Sequence, residues 1–143
     1  MPHIADEISR SLKTFPHTRH HPEVRLVTWH PRGTLDDKLA DEIVDWLLAE
    51  ETVNDVPFHR YTDFSLLTDI HLRVGHVFEV AEQRRAAAEP VRSAFVAEST
   101  IGFEVARLYE RLMRGAVIRV RAFRDRDAAA AWLQVPVQLL MPE

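Results

Sequence analysis

The chain reads as an α/β fold with a mixed, mostly parallel sheet and crossover helices. Short alternating segments recur along it, and each of four is followed by a segment with helical spacing. Parallel neighbours need such long crossovers, and these come with right-handed chirality. The clearest unit is VIRVRAFRDRDAAAAWL, residues 117–133, in which an alternating strand passes through a polar turn into a short helix ending on Trp132 and Leu133.

The elements follow in order. Val24 to His30 (VRLVTWH) alternates, with Val24, Leu26 and Thr28 on one face and Arg25, Val27 and Trp29 on the other, as a strand requires. Pro31-Arg32-Gly33 breaks it. Thr34 is placed to cap the next helix, Asp37 reaches back as in a capping box, and Asp36 and Asp37 both suit the positive end of the helix dipole. Leu35, Leu39, Ile43 and Leu47 make one apolar stripe, so this helix packs on a sheet and ends near Glu51. Pro57 to Phe64 (PFHRYTDF) is aromatic and alternating and predicts a strand, with Ser65 to Ile70 as a loop. Val74, Val77, Phe78 and Ala81 recur at helical spacing, and that helix runs from Arg73 until Pro90 stops it. Val91 to Val96 predicts another strand. Ser99 then caps a third helix, whose Ile101, Val105, Leu108 and Leu112 share a face before Gly115 closes it.

The two ends are less regular. Within residues 1–23, Ile8, Leu12 and Phe15 fit neither period and HTRHHPE is turn-like, so an irregular segment with an additional edge strand is expected. In residues 134–143, Val135, Val137, Leu139 and Leu140 flank Pro136 and precede Pro142. They predict an extended apolar tail that something must cover, a dimer partner being one candidate.

Composition narrows the function classes. With 143 residues and 46% apolar content the chain suffices for one domain, residues 1–143, whose core needs no covalent staples. It has no cysteine, which removes disulfides, thiolate metal sites and a thiol nucleophile. The start MPHIADEISRSLK lacks a basic head followed by an apolar run, and no segment has the roughly 18 apolar residues of a membrane span. A soluble, cytoplasmic protein is expected. A net charge of −4 with both signs interspersed argues against nucleic acid as a partner.

Three stretches carry a family resemblance. WHPRGTLDD is similar to the strand, glycine and helix start that open SpoIIAA-like, or STAS-type (STAS/SEC14), domains. RYTDFSLLTDI resembles their strand-to-loop segment before the second helix, and RVRAFRDRDAAAAWL resembles their ending. In this order the three span nearly the whole chain. The resemblance implies regulation or binding in place of chemistry. Anti-sigma-factor antagonists of this fold carry a phosphorylatable serine at the start of the second helix, where added charge disrupts a docked partner. The matching stretch here is Thr68-Asp69-Ile70-His71, without the serine, so a phosphoswitch would need Thr68 or Ser65 in its place. Turn formation or helix capping accounts for those residues more simply. Members topologically similar to lipid-carrying domains suggest small apolar ligands.

The residues that could carry chemistry each have a simpler reading. His17, His20 and His21, with His3 and His30, invite a metal site, but Pro16 and Pro22 bracket the cluster and no further ligand follows at helical spacing, which favours a solvated loop. His71 and His76 are five apart and miss the i, i+4 spacing of one helix face. Arg60 and Asp63 form a charge pair near a strand's carboxyl end, where open α/β sheets bind ligands, yet Asp63 beside a turn commonly bonds its own backbone. Asp69 and His71 resemble a base and its orienter, but no G-x-S-x-G nucleophile is present for them to activate. Gly33, Gly75, Gly102 and Gly115 are scattered singly, so no phosphate cradle is encoded. Around Arg124 and Arg126, Asp125 and Asp127 read as helix caps with the arginines solvated or paired, and Trp132 reads as a core plug.

The sequence therefore predicts a non-enzymatic regulatory or protein-interaction module, homodimeric, with no cofactor and no metal. The alternative is a small apolar-ligand or lipid-like carrier. The expected binding loop comprises Asp63, Ser65, Thr68 and Asp69, together with the helix start at Ser99 and Thr100.

Overall fold

The computed structural model describes residues 15–54 and 56–142; Ile8, Leu12 and His3 lie outside them. In chain order the elements are β1 (Thr18–His21), a 3₁₀ turn (Pro22–Val24), β2 (Leu26–Trp29), β3 (Gly33–Asp36), α1 (Asp37–Val53), β4 (His59–Asp63), β5 (Leu67–His71), α2 (Val74–Arg85), β6 (Arg92–Val96), α3 (Thr100–Leu112), β7 (Arg119–Phe123), α4 (Arg126–Leu133) and a second 3₁₀ turn (Val137–Leu140). The main sheet has the order β1-β2-β4-β6-β7. β1 pairs antiparallel with β2, while β2, β4, β6 and β7 run parallel. This is the mixed, mostly parallel sheet with crossover helices that the pattern predicts.

Strand alternation decides the two faces. Leu26, Tyr61, Ala94 and Val96 turn towards α4 and the C-terminal turn, where they pack with Ala129, Ala130, Leu133 and Leu140. Val27, Trp29 and Phe95 turn the other way, towards Ile43, Leu47 and Trp46 of α1 and Ala106 and Tyr109 of α3. All four residues of β2 are buried, as expected where a parallel strand is covered on both faces.

Three local expectations are corrected. Gly33–Asp36 is a strand, and it pairs parallel with Leu67–His71 in a separate two-stranded sheet, so Ser65 to Ile70 is largely strand β5 and not a loop. Consequently Leu35 belongs to β3, where it is 3% exposed, instead of opening the helical stripe. The cap of α1 is Asp36, whose carboxylate accepts from the Leu39 amide at 2.8 Å, and not Thr34. Once β3 keeps the backbone extended through Asp36, that residue alone stands one step before the first helical residue.

The tail is not an open arm. It turns back in a 3₁₀ turn, buries Leu140 completely, and leaves Val135 and Val137 packed against the α4 face of the sheet. The chain thus covers these residues itself, and the argument for a dimer from the tail falls.

Leu140→Ala should therefore cost about 2–5 kcal/mol, the range for deleting a fully buried leucine side chain. Urea unfolding checks this: the midpoint should fall sharply, whereas Met141→Ala, which is exposed, should leave it unchanged.

Candidate functional site

Asp63 is the last residue of β4, the central strand, and it sits in register with Val96 of β6 at the sheet's carboxyl edge. It has no exposed surface. A buried carboxylate must be matched by donors or become prohibitively costly, and three donors reach it. The Tyr61 hydroxyl, on the same strand face, donates to Oδ2 at 2.6 Å. Arg126 Nε donates to the same oxygen at 2.7 Å. The Ser65 amide donates to Oδ1 at 2.9 Å, closing the turn by which Asp63 bonds its own backbone two residues on. His30 Nε2 lies 3.8 Å from Oδ2 and 2.8 Å from the Leu140 carbonyl.

Local structure brings the arginine there. The Asp125 carboxylate accepts from the Ala128 amide at 2.8 Å and fixes the start of α4 beside the sheet edge, so that Arg126, the first helical residue, reaches Asp63. Its second arm donates to Ser65 Oγ at 2.8 Å. Burial by itself pushes the Asp63 carboxyl up, but the hydrogen bonds from Tyr61, Ser65 and Arg126 more than offset it and hold it below the usual carboxylate range. Burial and the adjacent carboxylate drive the Tyr61 phenol upward. Burial pulls the Arg126 guanidinium down, yet its bond to Asp63 leaves it above its ordinary value.

The other expected site residues lie in front of this tie. Ser65, Thr68, Asp69, Ser99 and Thr100 line an open groove of about 530 Å³, together with Leu67, Ile70, Glu98 and Ile101. β5 forms one wall and the first turn of α3 the other. Gly102 leaves room for the start of α3: a Cβ there would come within 2.8 Å of Ser99 Oγ and 3.2 Å of the Ala97 Cβ, while Ile70 Cδ1 of β5 would stand at an ordinary contact distance of 3.6 Å. The Ser99 hydroxyl is occupied as the cap of α3, accepting from the Gly102 amide at 3.1 Å. Asp63 lies beneath the groove and is not part of its lining.

The remaining candidates separate. Arg60 does not pair with Asp63: it donates to Glu51 at 2.5 Å and to Glu89 at 2.8 Å, away from the carboxyl edge. Asp69 and His71 are 3.8 Å apart, and both side chains are more than 60% exposed at 63% and 67%, so water surrounds the pair. Among the histidines, His21 approaches the Thr28 hydroxyl at 3.4 Å, His20 packs on Trp46 and Phe58, and His76 bridges Asp41 at 2.7 Å and Glu79 at 3.1 Å. Among the described residues no group of three or more potential ligands is placed to hold a metal ion. No helix among them is long and apolar enough to cross a membrane.

Sequence reasoning left Arg126 out of the site. One signal was available: a cation in the first turn of a helix opposes the helix dipole, and it is retained where a carboxylate compensates.

Because the folded carboxyl of Asp63 is depressed, its contribution to stability is present above the ordinary carboxylate pKa and is lost as pH falls through the folded value. Asp63→Asn should cost about 1.5–3 kcal/mol at neutral pH, the worth of hydrogen bonds to a charged group. Chemical denaturation across the acid range tests it: the gap between native chain and variant should close as pH falls.

No family model matches the chain, and no curated protein sequence matches it. Its structure is similar to the crystal structure of an uncharacterized DUF3478-family protein with a SpoIIAA-like fold from Shewanella loihica PV-4. The likeness has a TM-score of 0.53 at 13% identity and covers 81% of this chain and 90% of that one. The architecture anticipated from the order of elements is thus the observed one: the chain has a SpoIIAA-like fold.

Proposed function

We propose that this chain is a regulatory protein-interaction module, and that the groove between β5 and the start of α3 takes a segment of a partner polypeptide. The observation that carries this reading is the lining of the groove. Ser65, Thr68 and Thr100, with their hydroxyls, and Asp69 and Glu98, with their carboxylates, line it together with Leu67, Ile70 and Ile101, the last 62% exposed. Protein interfaces likewise combine apolar and polar groups. The two carboxylates favour a segment with basic as well as apolar side chains. The buried tie at Asp63 and Arg126 supplies a rigid mount.

The proposal is non-enzymatic, because water keeps access to both members of the exposed pair Asp69 and His71. It takes residues 1–143 as one domain and a cytoplasmic setting, both on the sequence reading above. A homodimer remains part of it on a different footing: Val74 and Phe78, one helical turn apart on α2, are 64% and 50% exposed. The lipid-like carrier is less favoured. The two cavities between the sheet and α1–α3 are each about 90 Å³, against the roughly 300–1,000 Å³ of ligand pockets for larger cargo.

Capture from a native cell extract tests the reading. The double variant Thr68→Arg, Ile101→Asp should lose at least about tenfold in partner recovery, equivalent to about 1.4 kcal/mol. Val117→Asp, exposed and outside the groove, should recover the same partner as the native chain. Equal recovery by both variants would refute the groove.

A further inference from the structure

Three basic side chains stand side by side at the amino edge of the main sheet, the edge away from the groove. Arg92 of β6 is in register with Arg119 of β7, and the His59 ring of β4 accepts through Nδ1 from the Arg92 amide at 3.0 Å. Alternation puts them on the α4 face, since His59 and Arg92 stand two residues before Tyr61 and Ala94 of that core. All three line one pocket of about 420 Å³, with Val91, Val117 and Leu133 among its apolar walls and no carboxylate in its lining.

Like charges facing each other on adjacent strands repel, so this pair calls for a counter-ion. Among the described residues neither Arg92 nor Arg119 is within ion-pair distance of a carboxylate. Arg92 is fixed in another way: one arm donates to the Trp132 carbonyl, and its guanidinium lies 5.5 Å from the centre of the Trp132 ring. That carbonyl belongs to the carboxyl end of α4, which offsets only about half a charge. His59 registers the surplus. Burial first, and then the charges of Arg25, Arg92 and Arg60, hold its ring below the ordinary histidine value, so it is uncharged at neutral pH. A backbone amide can only donate, so Nδ1 is the acceptor and the ring proton sits on Nε2.

We infer that this pocket binds a small phosphate monoester, its phosphoryl group held by Arg92, Arg119 and the His59 Nε2–H and its apolar body against Val91, Val117 and Leu133.

Charge and size choose the class. A phosphate monoester carries about −1.5 to −2 at neutral pH, which answers two guanidinium groups, whereas a carboxylate answers one. Planar guanidinium forks also match phosphate oxygens in geometry. At about 30 Å³ for each water-sized group, the 420 Å³ take on the order of ten non-hydrogen atoms, enough for a phosphoryl group and a short body. The pocket and the groove lie at opposite edges of the sheet, and failure of one leaves the other untouched.

NMR titration of the full chain at low salt tests the inference, with phenyl phosphate, inorganic phosphate and benzoate as probes. Phenyl phosphate should shift the Arg92 and Arg119 amide and His59 ring signals saturably. It should bind more tightly than inorganic phosphate, which lacks the body, and at least about tenfold more tightly than benzoate, which lacks the second charge. Arg119→Gln should weaken it at least about tenfold, and Val117→Asp, which sets a carboxylate in the lining, should weaken it too. Arg111→Gln, the same loss of charge on α3 outside the lining, should bind as the native chain does. The inference is overturned if phenyl phosphate causes no saturable shift, or if benzoate or inorganic phosphate binds as tightly. It is equally overturned if Arg119→Gln binds as the native chain does, if Arg111→Gln loses as much, or if a phosphoserine peptide binds more tightly than phenyl phosphate.

Discussion

A carboxylate with no access to water, placed at the end of the central strand, has to find its donors within the protein, and that need organises the whole carboxyl edge. Asp63 draws in Tyr61 from its own strand, the Ser65 amide from the turn that follows, and Arg126 from the far end of the sequence. Arg126 then holds Ser65 with its other arm. The turn leading into β5 and the start of α4 are locked together by one side chain. The groove in front of them inherits its shape from that lock.

The opposite region of the molecule uses buried charge differently. Arg60 and Arg84 approach Glu51 and Glu89 beneath the helices, tying β4 and α2 to the end of α1 and to the segment before β6. Removing one partner of such a cluster leaves an uncompensated charge and is strongly destabilising. The Arg60 Nε–H remains outside the cluster's hydrogen bonds. One end of β4 thus holds the Asp63 tie beside the outward groove, while the other carries Arg60 in a buried charge cluster.

Much of the fold was legible because its signals are local. The alternation of β2, β4, β6 and β7, the Ser99 cap of α3 and the Asp125 cap of α4 each lie within a few residues of sequence. What escaped was long-range. β3 and β5 are four and five residues long and half exposed, so neither shows a decisive apolar pattern, and only their mutual pairing makes them strands. Thr34 looked like a cap because nothing local reveals that β3 holds it extended. Five of the six residues expected to bind line one groove, because the loop and the helix start that carry them are each short stretches of sequence. Asp63 lies outside that lining, and its bond to Arg126 was not legible because the two are 63 residues apart and the arginine read as solvated or paired without a named partner. The tail misled for the same reason, since the surface that covers Leu140 is built by β2, β4 and α4.

Asp63 and Arg126 together hold the turn beside the groove, and backbone hydrogen exchange measures that hold directly. In Arg126→Met, the amides from Ser65 to His71 should exchange at least about tenfold faster, a loss of about 1.4 kcal/mol in local opening free energy, while those of β6 keep their protection. Unchanged protection from Ser65 to His71 in a folded Arg126→Met chain would contradict it.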